Sequence, residues 1–282
     1  MSQAALAKSR RSAIYGILVV AALTAGASGT FAADGCPTSA SEISTDRPDV
    51  TNSSLVVPYG SLQAENGLDW TVRHGSNALD ATNTRLRLGV AHCTEFVVDI
   101  PSYFDSLNGS QPRGFLDIVV SFKRQLAVPF GFDLSVTGGA AFPSGSSKIS
   151  GRGYQPLVQF PWSHLLAPDW EVAGMFTLFW SPSESEHNLT FQPTLSLERE
   201  FGSAADLFVE YVGQYDHQRP AHLLDGGGSW RVTRLQQLDF HVGFGLNRSS
   251  AALNGVPVDQ FFGIGYSIRL DGLFGGSVGS SP

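Results

Sequence analysis

Residues 238–247 alternate without a break, with Leu238, Phe240, Val242, Phe244 and Leu246 on one side and Asp239, His241, Gly243, Gly245 and Asn247 on the other. A period of two sends successive side chains to opposite faces of a pleated chain, so this stretch predicts a β-strand with one apolar and one polar face. The pattern recurs from residue 62 onward. Leu62, Leu68, Trp70 and Val72 alternate with Gln63, Glu65, Asp69, Thr71 and Arg73; Leu86, Leu88 and Val90 with Arg85 and Arg87; Phe96, Val98 and Ile100 with Glu95 and Asp99. Leu116, Ile118, Val120 and Phe122 oppose Asp117, Ser121 and Lys123. Further strands are predicted at 132–142, at 154–164 with Pro156 and Pro161 interrupting it, and at 170–180, 189–198, 207–216, 229–233 and 260–270.

Connections divide into two classes. Short turns at 92–94, 128–130, 167–169, 202–205 and 235–237 alternate with longer polar connections at 75–83, 105–113, 144–153, 183–187, 217–228 and 249–257. Gly226, Gly227 and Gly228 read as part of a turn. About twelve strands joined by alternating short turns and long loops predict an all-β fold, a transmembrane antiparallel up-and-down β-barrel with its short turns in the periplasm. An Arg or Lys facing mid-bilayer lipid costs about 2 to 4 kcal/mol, which assigns the faces. The polar side, with Glu65, Asp69, Arg73, Arg85, Arg87, Glu95, Asp99, Asp117, Lys123, Glu198, Glu210, Asp239, His241 and Arg269, lines the interior. The apolar side meets lipid, with Trp70, Trp170, Trp180, Tyr211 and Tyr215 at the interfaces. A secreted β-sandwich fits less well, because strands as long as 169–181 exceed the usual five or six residues of soluble sheets.

Composition points the same way. Charged residues make up 15% of the 282 residues, aromatics 11%, and glycine is abundant at 31; soluble domains average about 25% charged. The N-terminus carries Lys8, Arg10 and Arg11, an apolar run over 13–25 and small residues to Ala32. That is the plan of a secretory signal peptide, too short in its apolar run to span a bilayer. The expected organisation is a cleaved signal peptide at 1–32, a periplasmic segment at 33–58, a barrel over 59–270 and a tail at 271–282. The formal charge is −7 and becomes more negative once the leader is removed, which argues against a nucleic-acid partner. The expected partners are outer-membrane lipid, the barrel-assembly machinery and an unidentified small permeant.

Two cysteines in an exported chain predict one disulfide, Cys36 to Cys93, against the alternative of two buried thiols. The disulfide is consistent with the topology, since both cysteines then lie on the periplasmic side. Asp34 two residues before Cys36 makes a poor lipid-attachment site.

Several blocks carry a family resemblance: STDRPD at 44–49, VPYGSLQAENG at 57–67, LRLGV at 86–90, GFLDIVVSFKRQL at 114–126, AAFPSG at 140–145, FVEYVG at 208–213, DGGGSW leading into LDFHVGFGLN, and FFGIGYSIRL at 261–270. In order and extent the chain resembles the proteobacterial outer-membrane transporters labelled "MetA-pathway of phenol degradation". The resemblance implies a barrel in the outer membrane and an association with aromatic catabolism.

The interior charges read either as a selectivity lining or as a paired network that fills the barrel, and filling is the stronger reading because interior charges are tolerated chiefly when paired. Twelve strands fall between small filled barrels and porins of about 16 to 18 strands, so the lumen is expected to be narrow, or plugged by loops or by the N-terminal segment. No cofactor or metal site is expected: His217 and His222 with Asp216 and Asp225 match no metal motif and read as a solvated loop. A lipid-modifying enzyme would need a Ser and a His together on the outer wall, and neither G-x-S-x-G nor H-x-S occurs. The expected function is a channel for passive uptake of small aromatic or otherwise hydrophobic compounds, with a non-conducting structural or adhesive barrel as the alternative.

Overall fold

A computed structural model describes residues 36–274, apart from 74–75, 108–112, 152, 183–186, 217–219, 247–251, 254–255 and 258. The expected leader, the tail from 275 and His217 lie outside the described residues. Strands follow one another in chain order as β1 (Leu62–Arg73), β2 (Ser76–Ala81 resuming as Arg85–Ala91), β3 (Thr94–Asp99 and Tyr103–Ser106), β4 (Gly114–Phe115 and Ile118–Leu126), β5 (Phe132–Phe142), β6 (Gln155–Ala167), β7 (Trp170–Pro182), β8 (His187–Phe201), β9 (Ala205–Gln214), β10 (Ala221–Thr233), β11 (Gln236–Gly245) and β12 (Gln260–Leu270). Each pairs antiparallel with its neighbours, and β1 pairs with β12 from Leu62↔Leu270 to Val72↔Gln260. The result is a closed twelve-stranded barrel. Closure matters because hydrocarbon offers no partner to an unpaired sheet edge.

The period-two pattern lands as the faces demand. On β11, Leu238, Phe240, Val242 and Phe244 are exposed while Gln237, Asp239, His241 and Gly243 are buried. In β9, Leu207 and Val209 face outward and Phe208, Glu210 and Val212 inward. The inner face is not polar throughout: Val212, Ala221, Leu223 and Phe261 form a small apolar cluster, with Val50 packed against it.

Two expected loops are strand instead. The 75–83 connection contains the first half of β2, which pairs Leu79 with Trp70 and Asp80 with Asp69. The 217–228 connection is largely β10, where Gly226, Gly227 and Gly228 pair with Val209, Phe208 and Leu207 on one side and with Val242, His241 and Phe240 on the other. Glycine carries no side chain from which a period can be read, so a triplet resembles a turn. Here it marks close backbone approach: a Cβ on Gly227 would lie 2.1 Å from the Phe240 carbonyl oxygen. β6 runs through both prolines, but its ladder with β5 lapses between Leu134↔Trp162 and Thr137↔Gln159, where Pro161 has no N–H to give.

The long-loop rim carries the 143–154 and 246–259 connections, the latter including a small ribbon that pairs Ala252 with Pro257. The opposite, short-turn rim carries the turns at Cys93, Phe130 and Asp169, each with positive φ. Phe240 lies mid-strand on the outer wall, 53% exposed. Replacing it with Arg is expected to cost about 2 to 4 kcal/mol, measured as reduced folding stability in lipid vesicles, whereas Phe240→Leu leaves stability nearly unchanged.

Candidate functional site: an occupied lumen

Residues 36–61 have no regular secondary structure beyond a single bridge at Tyr59. Such a segment can be buried only if side chains satisfy its backbone groups, and the inner wall does so. Glu210 of β9 accepts hydrogen bonds from the Val50 amide at 2.7 Å, the Thr51 amide at 2.8 Å and the Thr51 hydroxyl at 2.5 Å. Glu65 of β1 accepts from the Asp46 amide at 2.9 Å, and Glu95 of β3 from the Val57 amide at 2.6 Å. Arg87 donates to the carbonyls of Ser44 and Leu55, and Arg269 to those of Ala40, Ser41 and Glu42. Side chains add further ties: Asn52 to Gln159, Ser54 to Ser163, Thr51 to Thr194, and Thr45 to Gln237. The segment expected on the periplasmic side, and also considered as a lumen plug, therefore occupies the lumen, held from β1 round to β12.

It enters and leaves at the short-turn rim. Cys36 is bonded to Cys93 in the β2–β3 turn, with Cα atoms 5.1 Å apart. At the other end, the amide of Gly60 donates to the Gly89 carbonyl, and the Gly89 amide to that of Ser61. The wall is cut away to admit the segment. A Cβ on Gly89 would sit 2.0 Å from the Pro58 carbonyl oxygen, and one on Gly67 would sit 2.2 Å from the Arg47 guanidinium.

Two charge clusters grip the middle of the segment. On one wall, Asp46 meets Arg85 at 3.2 Å, Arg87 at 3.3 Å and Lys123 at 3.2 Å. The same cations pair with wall acids: Arg85 with Asp99 at 2.6 Å, Arg87 with Glu95 and Glu65 at 3.0 Å each, and Lys123 with Glu95 at 3.7 Å. On the other wall, Arg47 lies 3.7 Å from Asp69 and 3.6 Å from Asp239. His241 bridges Asp225 and Asp69 at 3.1 Å on either ring nitrogen. It holds three strands together on the inner wall, far from the outer-wall geometry that a lipid hydrolase would need.

Most of the sequence-predicted lining residues join this network: Glu65, Asp69, Arg85, Arg87, Glu95, Asp99, Lys123, Glu210, Asp239, His241 and Arg269. Glu198 lies half-buried on β8 opposite Glu171 and is not part of the grip. The Arg73 side chain lies outside the described residues. Asp117 is placed differently from expectation. It sits in the break within β4 and accepts the amides of Ser144, Gly145 and Gly151, tying down the 143–154 loop. Sequence reasoning missed Asp46, Arg47, Asp49 and Thr51, and placed Asp225 in a loop. The available signal was STDRPDVTNSS itself, dense in short polar side chains that can satisfy a buried backbone. Among the described residues no group of His, Cys, Asp or Glu is arranged to hold a metal ion.

A family model described as "Putative MetA-pathway of phenol degradation" matches residues 45–255. The fold is similar to an outer membrane channel from Pseudomonas putida F1, with TM-score 0.60 at 11% identity over 79% of this chain and 100% of that one. It is also similar to the NanC porin, with TM-score 0.52 at 10% identity over 74% and 100% of the two chains. The KdgM porin in complex with disordered oligogalacturonate gives TM-score 0.51 at 10% identity over 74% and 98%. No curated protein matches the sequence.

Burial would raise the Asp46 carboxyl, but the charges of Arg87, Lys123 and Arg85 outweigh it and hold it far below its ordinary 3.8. Asp49 behaves oppositely: burial, then the nearby Glu210, Glu198 and Asp225, push it well above 3.8. A depressed acid adds docking stability above its free value and loses it as pH falls through the depressed one; a raised acid adds stability below its free value and loses it as pH rises through the raised one. Protection of amides 45–57 in hydrogen exchange is therefore expected to decline at both extremes, and Asp49→Asn to lessen the alkaline decline while leaving the acid one in place. Asp46→Ala leaves buried cations short of a partner and is expected to weaken docking by about 3 to 5 kcal/mol, seen as lost protection of those amides while the strands keep theirs.

Proposed function

The chain belongs to the family described as "Putative MetA-pathway of phenol degradation", and from that premise we propose that it is an outer-membrane channel for passive uptake of small molecules, closed by its own residues 36–61. On this reading residues 1–32 are a cleaved export signal, the short-turn rim faces the periplasm, and the assembly machinery inserts the barrel. The observation that carries the proposal is the chemistry of the inner wall. A barrel that only had to be filled would be served as well by apolar packing, since burying ion pairs brings little net stability over well-packed hydrophobic residues. Walls bearing Glu65, Arg87, Glu95, Lys123 and Glu210, each at 1% exposure or less beneath a hydrogen-bonded segment, suit a lumen that fills with water when the segment leaves. The similar solved structures named as channels and porins support the same reading. The family description supports aromatic cargo, and the apolar cluster of Val212, Leu223 and Phe261 offers such a ring a place to rest.

The rival reading, a barrel that never opens, draws on the attachment of the segment at both ends. Planar-bilayer conductance separates the two. The whole protein is expected to open rarely, reduction of Cys36–Cys93 to raise its open probability, and deletion of residues 37–57 to give steady openings. A deletion variant that stays silent, while still running faster unheated than heated on a gel as a folded barrel does, would establish the structural barrel instead.

A further inference from the structure

The Asp46 carboxylate stands at a convergence of cations that belong to the wall. Its Oδ1 receives Lys123 Nζ at 3.2 Å, Arg87 Nη1 at 3.3 Å and the Ser53 amide at 3.0 Å; its Oδ2 receives Arg85 Nη1 at 3.2 Å. All three cations come from β2 and β4, and the carboxylate comes from the segment that must leave if the lumen is to open. Glu65 shares Arg87 Nη1 with Asp46, accepting from it at 3.0 Å, whereas Asp99 and Glu95 lie on the other edges of the guanidinium groups. Asp99 engages Arg85 through Nε and Nη2, and Glu95 engages Arg87 through Nε and Nη2. With Asp46 gone, Arg85 Nη1 loses both Asp46 and Asn52. Among the described residues, Lys123, 1% exposed, keeps Glu95 at 3.7 Å. A buried ammonium and a guanidinium edge then face the lumen that the segment has left.

Resting on the channel reading above, we propose that Arg85, Arg87 and Lys123 form a carboxylate-binding site of the pore, which Asp46 occupies in the closed state, and that small monocarboxylates open the channel by competing with Asp46. Both oxygens are read, one by two cations and the other by one, which favours a planar carboxylate over a neutral amide. Because Asp46 is tethered at both ends of its segment, it competes at an effective concentration of about millimolar or above. The soluble ligand therefore acts in the same range, as suits a channel gated by abundance of its cargo.

Calorimetric titration of the detergent-folded full chain with sodium benzoate at constant ionic strength tests the site. Benzoate is expected to bind Asp46→Asn about tenfold or more tighter than the unsubstituted protein, benzamide to bind neither, and Asp46→Asn with Lys123→Met to lose the benzoate affinity. Equal benzoate affinity with and without Asp46→Asn, or no binding to folded Asp46→Asn, would overturn the site. Should the double variant not fold, the comparison of the single variant with the unsubstituted protein and the benzamide control decide alone. In bilayers benzoate is expected to raise the open probability of the unsubstituted protein several-fold. Conducting Asp46→Asn without benzoate binding would overturn the carboxylate site and leave the channel standing. Benzoate binding with silent bilayers from every variant would overturn the channel and the gating and leave only the site.

Discussion

Hydrocarbon gives a backbone N–H or C=O nothing to bond to, and the rest of this structure follows from that one fact. The sheet has to close, and it closes where β12 returns to β1 over eleven paired positions from Leu62↔Leu270 to Val72↔Gln260. Closure separates one face of every strand from the other for the whole length of the chain. Outward positions are then selected for lipid, as with the exposed Leu207, Val209, Phe240 and Phe262, and inward positions are free to carry charge. The triple glycine of β10 is accommodated because neighbouring strands hold the register on both sides, and Pro161 of β6 because β7 holds it on one.

Charges inside such a wall meet a second constraint. An ionised side chain out of water needs a partner and further hydrogen bonds, and an irregular segment out of water needs donors and acceptors for its own backbone. The wall and residues 36–61 solve each other's difficulty. Glu210 and Glu65 accept amides that would otherwise be orphaned, Arg269 and Arg87 cover carbonyls, and Asp46 and Arg47 return charge of the opposite sign to each wall. Neither partner would be as well satisfied in a dry lumen alone.

The barrel was legible in the sequence because alternation is a local signal. Nothing beyond residues 238–246 is needed to see that Phe240 and His241 face opposite ways. The same signal fails at Gly226 to Gly228, which have no side chains to alternate, and at Ser76 to Ala81, where Leu79 and Asp80 alternate over too few residues to stand out from a polar loop. The inward charges were legible as a face but not as pairs, since Arg87 and Glu65 meet only through the closure of distant strands. Asp117 shows the limit of face-counting: one break in β4 turned an expected lining residue into a loop anchor. Residues 36–61 were legible only as one candidate plug among others, because a segment with no period does not show where it lies, and its place is set by partners remote in sequence.

The two attachment points of that segment lie side by side on one rim, at the Cys36–Cys93 bond and at the entry to β1. A loop whose ends share a rim can enter a ring that is already complete, much as a folded flap is pushed into a sleeve, and no chain end has to be threaded through. The strands can therefore finish pairing in the membrane before the interior is filled, and formation of the sulfur bond need not precede insertion. Closing the ring and filling it are thereby distinct geometric tasks, and the second makes no demand on the first.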